Sequence, residues 1–124
     1  MDKTTTRLAI AAGVDTAVVV AFVAIGRNNH DEDPGIAGLF STAAPLLIGL
    51  AIGWLVARAW DQPFALRTGL VVWPVTVAAG MIVRRILGDG TALSFVIVAT
   101  IFLGVFLVGW RAARLAIVSR RHIV

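Results

Sequence analysis

Long runs of apolar residues alternate with short polar stretches along the whole chain. Four of these runs come close to or exceed the roughly 20 residues that a helix needs to cross about 30 Å of hydrocarbon. None shows the alternation of a membrane β-strand, and in lipid a helix satisfies its own backbone hydrogen bonds. We therefore predict an all-α, polytopic bundle of four transmembrane helices, over residues 8–26, 36–57, 66–87 and 91–112, followed by a short basic tail over 113–124.

The stretches between the predicted helices are short and carry loop signals. Residues 27–34 read RNNHDEDP, residues 58–67 contain Pro63, and residues 84–90 end in Gly-Asp-Gly. Proline and glycine at such positions interrupt helices. Connections this short make successive helices antiparallel neighbours and leave no room for a separate soluble domain, so we predict a single domain over residues 1–124.

Composition narrows the class of protein. Of 124 residues, 59% are hydrophobic and 15% charged, whereas about a quarter of the residues in a soluble domain are charged. A globule this small has too little interior to bury so much apolar surface. The absence of cysteine excludes disulfides and cysteine-ligated metals, and the sequence indicates no cofactor. Residues 8–26 are too long for a signal-peptide core and contain Asp15, so we expect this segment to be retained.

The basic residues predict how the helices are oriented in the membrane. Eight of the eleven lie on the side of the N-terminus, the second loop and the C-terminus, with Arg111 at the end of the fourth helix among them, and three lie on the other side. The positive-inside rule then places both termini in the cytoplasm of a bacterial cell, with the helices in its inner membrane. Trp54, Trp60 and Trp110 near the same side indicate an aromatic belt at the interface. The basic flanks favour anionic lipid as partner over nucleic acid.

Asp15 is the strongest indication of a functional site. It lies about 16 Å inside Gly26 at 1.5 Å per residue, where a charge costs at least about 2.5–3.5 kcal/mol. We therefore expect it to face the bundle, and a comparison of depths predicts Thr76 and Thr100 as its hydrogen-bonding partners, beside Gly49. Two interpretations remain open: a carboxyl group that binds a proton or cation, and a neutral structural Asp that joins two helices.

A second candidate site is a basic crown on the predicted outer side, formed by Arg27, His30, Arg84 and Arg85. Guanidinium groups bind phosphate or carboxylate head groups in bidentate fashion. Snorkelling arginines paired with nearby acids are the structural alternative. The acidic loop beside His30 lacks the spacing of a calcium loop, and a single histidine makes a poor zinc ligand set, so no metal site is predicted.

Several short motifs occur in an order that resembles a known family. They are Asp15, then G-R-x-x-H from Gly26, W-x-x-T-x-x-x-G-x-x-x-R from Trp73, and G-W-R from Gly109. The chain is similar, over nearly its whole length, to an uncharacterised domain-of-unknown-function family of small four-helix membrane proteins, mainly from actinobacteria. The resemblance implies a bacterial membrane protein and supplies no activity, substrate or cofactor.

The sequence leaves three hypotheses about function. No recognised catalytic motif occurs, which favours a non-enzymatic role. The first hypothesis is an oligomeric transporter- or channel-like unit that uses Asp15. The second is an accessory or assembly subunit of a larger membrane complex. The third is a protein that binds lipid head groups, or acts on them, through the basic crown.

Overall fold

A computed structural model describes residues 2–29 and 36–123, and within these ranges it contains helices and no strand. Each of its four spans is long and apolar enough to cross a membrane. The predicted all-α bundle of a polytopic membrane protein is therefore confirmed. The helices are α1 (Lys3–Asn29), α2 (Ile36–Ala57), α3 (Leu66–Ile86), and a fourth span made of α4 (Leu93–Leu103), a π-helical segment (Gly104–Val108) and α5 (Gly109–Ile123).

The helix α1 begins five residues before the bound that the apolar pattern predicts. Asp2 caps this helix, since the backbone N–H of Thr5 donates to Asp2 Oδ1 at 2.8 Å. That hydrogen bond lowers the pKa of the Asp2 carboxyl group. An aspartate at this position satisfies a free N–H of the first turn and extends the helix into a polar stretch.

The helices α2 and α3 form the most closely packed pair in the bundle. Gly49 and Gly53 on α2 face α3, where a Cβ on Gly49 would lie 2.6 Å from the carbonyl oxygen of Thr76. A Cβ on Gly80 of α3 would lie 2.7 Å from Leu46 of α2. Small residues let two backbones approach where lipid supplies no hydrophobic force. The backbones of α2 and α3 therefore lie in direct contact.

The helix α1 and the fourth span complete the core through aromatic side chains. Phe22 lies 5.8 Å from Phe95 and 5.3 Å from Phe102, measured between ring centroids. Tilted pairs at these separations are favourable beyond the area that they bury. The opposite faces of the same helices expose large apolar side chains, including Ile25, Leu93 and Ile101. Such a surface suits contact with lipid chains.

The π-helical segment changes which residues of the fourth span face the interior. Ala99, Leu103, Leu107 and Arg111 are all fully buried, each four residues after the one before. An uninterrupted α-helix turns about 100° per residue, so twelve residues would carry Arg111 about 120° away from the face of Ala99. The wider π turn absorbs about one extra residue. It therefore keeps Arg111 on the buried face.

We expect Gly49→Ala to destabilise the protein, because its methyl group would meet backbone atoms of α3 at 2.6–2.7 Å. Overpacking of this kind costs about 1–3 kcal/mol. The measurement is the free energy of unfolding in mixed micelles. Gly13→Ala is the matched control, since no atom lies within 4 Å of that Cβ. Equal stability of the two variants would contradict the close packing of α2 on α3.

Candidate functional site

Four side chains form a polar cluster inside the bundle, which we call the Asp15 cluster: the buried Asp15 and Arg111 and the half-buried Trp54 and Trp110. Arg111 donates through Nη1 to Asp15 Oδ1 at 3.0 Å and through Nη2 to Oδ2 at 2.8 Å. The indole of Trp54 donates to Oδ2 at 2.8 Å, and that of Trp110 donates to Oδ1 at 2.9 Å. Each carboxylate oxygen therefore accepts two N–H groups, and the side chains of Asp15 and Arg111 have no exposed surface.

The remaining N–H groups of Arg111 join two further parts of the chain to the cluster. Its Nε donates to the carbonyl oxygen of Pro63, and its Nη1 also donates to that of Leu107, both at 2.9 Å. Gly69 of α3 leaves space for the Arg111 side chain, because a Cβ at this position would lie 2.9 Å from Cδ of Arg111. One guanidinium group thus links α1, the connection between α2 and α3, and the fourth span.

The register of α1 and α5 explains why these two charges meet. Arg7 of α1 and Arg114 of α5 both lie over the ring of Phe64. From that level, Asp15 is eight residues deeper along α1, about 12 Å, and Arg111 is three residues deeper along α5, about 4.5 Å. Every Cα–Cβ bond leans toward the N-terminus of its helix, so in antiparallel helices these side chains lean toward each other. The long arginine side chain spans the remaining gap.

The geometry of the cluster matches an ionised carboxylate. All four hydrogen bonds come from N–H donors, and none of these groups can accept a proton from a carboxylic acid. Bidentate arginine–carboxylate pairs are among the strongest charge-assisted hydrogen bonds. Taking both charges out of water costs several kcal/mol per ion, which is offset only where the hydrogen bonding is as complete as it is here.

The expectation that Asp15 faces the interior is confirmed by its zero exposure. The structure does not bring Thr76 or Thr100 to its carboxylate. The hydroxyl of Thr100 donates to the carbonyl oxygen of Val96 at 2.7 Å. The hydroxyl of Thr76 is buried against Gly53 and has no hydrogen-bond partner among the described residues. Depth along the helices alone suggested these threonines, whereas the directions of the side chains favour Arg111.

The structure describes only part of the predicted basic crown. His30 and the side chain of Arg27 lie outside the described residues. Arg84 donates to the carbonyl oxygen of Gly90 and lies 4.3 Å from the centroid of the Phe95 ring. Arg85 contacts the hydroxyl of Thr91 at 3.5 Å. These two arginines therefore stabilise the turn between α3 and α4, and a head-group site there stays a prediction.

Sequence reasoning assigned Trp54, Trp110 and Arg111 to the membrane interface and so missed their roles. The indole N–H groups of both tryptophans instead point at Asp15. A buried acid is costly unless a partner neutralises it or hydrogen-bonds to it, and the need for such a partner was the available signal. It does not single out one arginine among several, because the π-helical segment that turns Arg111 inward leaves no recognisable pattern in the sequence.

The residues that the structure describes include no group of three or more His, Cys, Asp or Glu side chains arranged to hold a metal ion. The acidic loop that begins at His30 lies outside those residues. Within the described part, the Asp15 cluster is the place where buried charge is concentrated.

Comparison with known proteins agrees with the expected resemblance. The model of a family described as "Protein of unknown function (DUF3054)" matches residues 12–114. This range contains every member of the Asp15 cluster. No curated protein matches the chain, and no solved structure does.

We expect Asp15→Asn and Arg111→Gln each to lower the free energy of unfolding by about 3–5 kcal/mol, because each leaves the other group buried without its partner. The double variant should lose less free energy of unfolding than the sum of the two single losses. The measurement is a double-mutant cycle of unfolding in mixed micelles.

The exposed pair Arg58–Asp61 is the matched control for this cycle, with a separation of 3.3 Å and side chains 71% and 50% exposed. Exposed pairs contribute about 0–1 kcal/mol. If Asp15→Asn cost no more than Asp61→Asn, the buried pair would not stabilise the bundle.

Proposed function

Since the chain belongs to a family of unknown function, DUF3054, we propose a function from its geometry: an oligomeric, transporter- or channel-like unit of the bacterial inner membrane. The observation that carries the proposal is the ion pair of Asp15 and Arg111, which is completely buried within apolar spans. Ionisable groups inside transmembrane segments are costly and commonly mark ion or substrate pathways. In this proposal, the pair couples a proton to movement of α1.

The packing of the bundle supports α1 as the moving element. The helices α2 and α3 approach so closely that added methyl groups at Gly49 and Gly80 would meet atoms of the other helix. On α1, a methyl group added at Gly13 or Gly26 would meet no atom of the described residues within 4 Å, although Val19 and Phe22 of this helix pack in the core. The Asp15 cluster is therefore one of the contacts that attach α1 to the rest of the protein.

Arg111 is suited to remain in place when Asp15 leaves. Transfer of a proton to the Asp15 carboxylate removes its negative charge and one of its hydrogen-bond acceptor sites. The guanidinium group keeps its hydrogen bonds to the carbonyl oxygens of Pro63 and Leu107. The two arrangements of such a switch thus differ in the position of α1 rather than in the position of the arginine.

A second candidate function, an accessory subunit of a larger membrane complex, is supported by the saturation of the carboxylate. Its two oxygens already accept four N–H groups. A pair satisfied in this way suits a fixed lock between helices, and fixing register is the best-attested use of buried polar groups. Stoichiometric purification with one larger partner would favour this function, whereas a homo-oligomer would favour the first.

We expect liposomes that contain the protein to take up protons under an imposed potential, and Asp15→Asn to remove this flux. Trp110→Phe keeps the ring and removes one of four donors to the carboxylate, so it should raise the flux several-fold. The measurement is the fluorescence of a pH-sensitive dye inside the liposomes.

Asp89→Asn is the control for loss of an acid, because Asp89 is exposed and distant from the cluster. Folding of each variant is checked by its elution from a sizing column. Equal flux through wild type, Asp15→Asn and protein-free liposomes would overturn the proposal.

We expect both termini to lie in the cytoplasm, because the basic residues are concentrated at that end of the bundle. The chain has no cysteine, so single substitutions report the side of the membrane directly. Asp89→Cys should react with an impermeant maleimide in intact spheroplasts, and Ser119→Cys should react only after permeabilisation. The reverse pattern would contradict the orientation.

A further inference from the structure

Two cavities meet at Trp60, at the end of the bundle that carries Lys3, the α2–α3 connection and α5. The first, the head-group pocket, has a volume of about 340 Å³ and is lined by apolar side chains together with polar and charged ones, namely Thr4, Arg7, Asp61, Gln62 and Arg114. The second, the tail groove, has a volume of about 540 Å³ and is lined mainly by apolar side chains of α1 and α2, including Ala12, Leu50 and Leu55. Trp60 lines both cavities.

The charges of the head-group pocket favour an anion. The guanidinium carbons of Arg7 and Arg114 lie 4.6 Å and 4.4 Å from the centroid of the Phe64 ring. Among the residues that the structure describes, no ion pair joins either arginine to an acid, and Asp61, an acid that also lines the pocket, is paired with Arg58. The two cations are therefore held in place by one aromatic ring and remain available to a ligand.

The placement of both arginines on the lining of one pocket favours a phosphate group. Each guanidinium carbon lies within 4.6 Å of the centroid of the Phe64 ring, and guanidinium groups donate to phosphate oxygens through hydrogen bonds of about 2.7–2.9 Å. Arginine is the preferred side chain for such bidentate contacts. The amide of Gln62 and the hydroxyl of Thr4 add uncharged donors on the wall of the pocket.

The tail groove suits a hydrocarbon chain. It is lined by side chains of α1 and α2, two helices that are long and apolar enough to cross a membrane. A ligand that fills both cavities carries an anionic phosphate at one end and a hydrocarbon chain at the other. We propose that this end of the protein is a specific site for an anionic phospholipid, with its phosphate between Arg7 and Arg114 and one acyl chain in the tail groove.

This site is distinct from the basic crown and does not depend on ion transport. It also contacts the Asp15 cluster: the ring of Phe64 meets that of Trp110 edge to face, with centroids 5.8 Å apart. The neighbouring Pro63 accepts a hydrogen bond from Arg111. A lipid bound at the head-group pocket therefore rests on the same connection that holds the buried arginine.

The test is native mass spectrometry of the full chain in non-ionic detergent, titrated with phosphatidylglycerol or phosphatidylcholine of identical acyl chains. We expect one bound phosphatidylglycerol, preferred over phosphatidylcholine. Arg7→Gln and Arg114→Gln should each weaken phosphatidylglycerol binding about fivefold, as expected for one basic residue at an anionic lipid surface. Arg67→Gln is the matched control, since Arg67 is exposed and does not line the pocket.

Two further measurements distinguish binding of the lipid head group from binding of the acyl chain. Ala51→Phe narrows the tail groove and should weaken the binding of both lipids alike, because Ala51 lines that groove. Inorganic phosphate at millimolar concentration should leave phosphatidylglycerol bound. Equal binding of the two lipids, an equal loss with Arg67→Gln, or full displacement by inorganic phosphate would each overturn the proposal.

Discussion

The bundle is organised around one buried ion pair, that of Asp15 and Arg111. Lipid offers no water to a charge that loses its partner, so the two groups constrain every element that touches them. The helix α1 must present Asp15 to the interior, and the fourth span must turn Arg111 inward. The connection after α2 must bring the carbonyl oxygen of Pro63 within 2.9 Å of the guanidinium group.

The constraint explains features that would otherwise be unrelated. The π-helical segment corrects the rotation of the fourth span, so that Arg111 shares a face with Leu107. Gly69 leaves the space that the arginine side chain fills. The two tryptophans donate to the carboxylate oxygens that Arg111 also contacts. Together these features complete the hydrogen bonding of the ion pair. A buried pair with incomplete hydrogen bonding would strongly destabilise the protein.

The cluster and the lipid-facing cavities lie close together at one end of the molecule. Phe64 contacts Arg7 and Arg114 on one side and Trp110 on the other. The two arginines of the head-group pocket are therefore connected to the buried pair through the rings of Phe64 and Trp110. The short connection over residues 58–65 therefore contacts both the Asp15 cluster and the head-group pocket.

The sequence by itself determined the class of fold, because four apolar runs of about 20 residues have no stable alternative to spanning helices in lipid. It also determined that Asp15 must face the interior, since the cost of exposing a charge to hydrocarbon depends on that residue alone. Only the tertiary structure decided what faces Asp15. Residue depth suggested Thr76 and Thr100, but helix rotation, the π turn and the lean of each side chain select Arg111, Trp54 and Trp110. Those quantities arise from packing between helices that are distant in sequence, and no local pattern of residues records them.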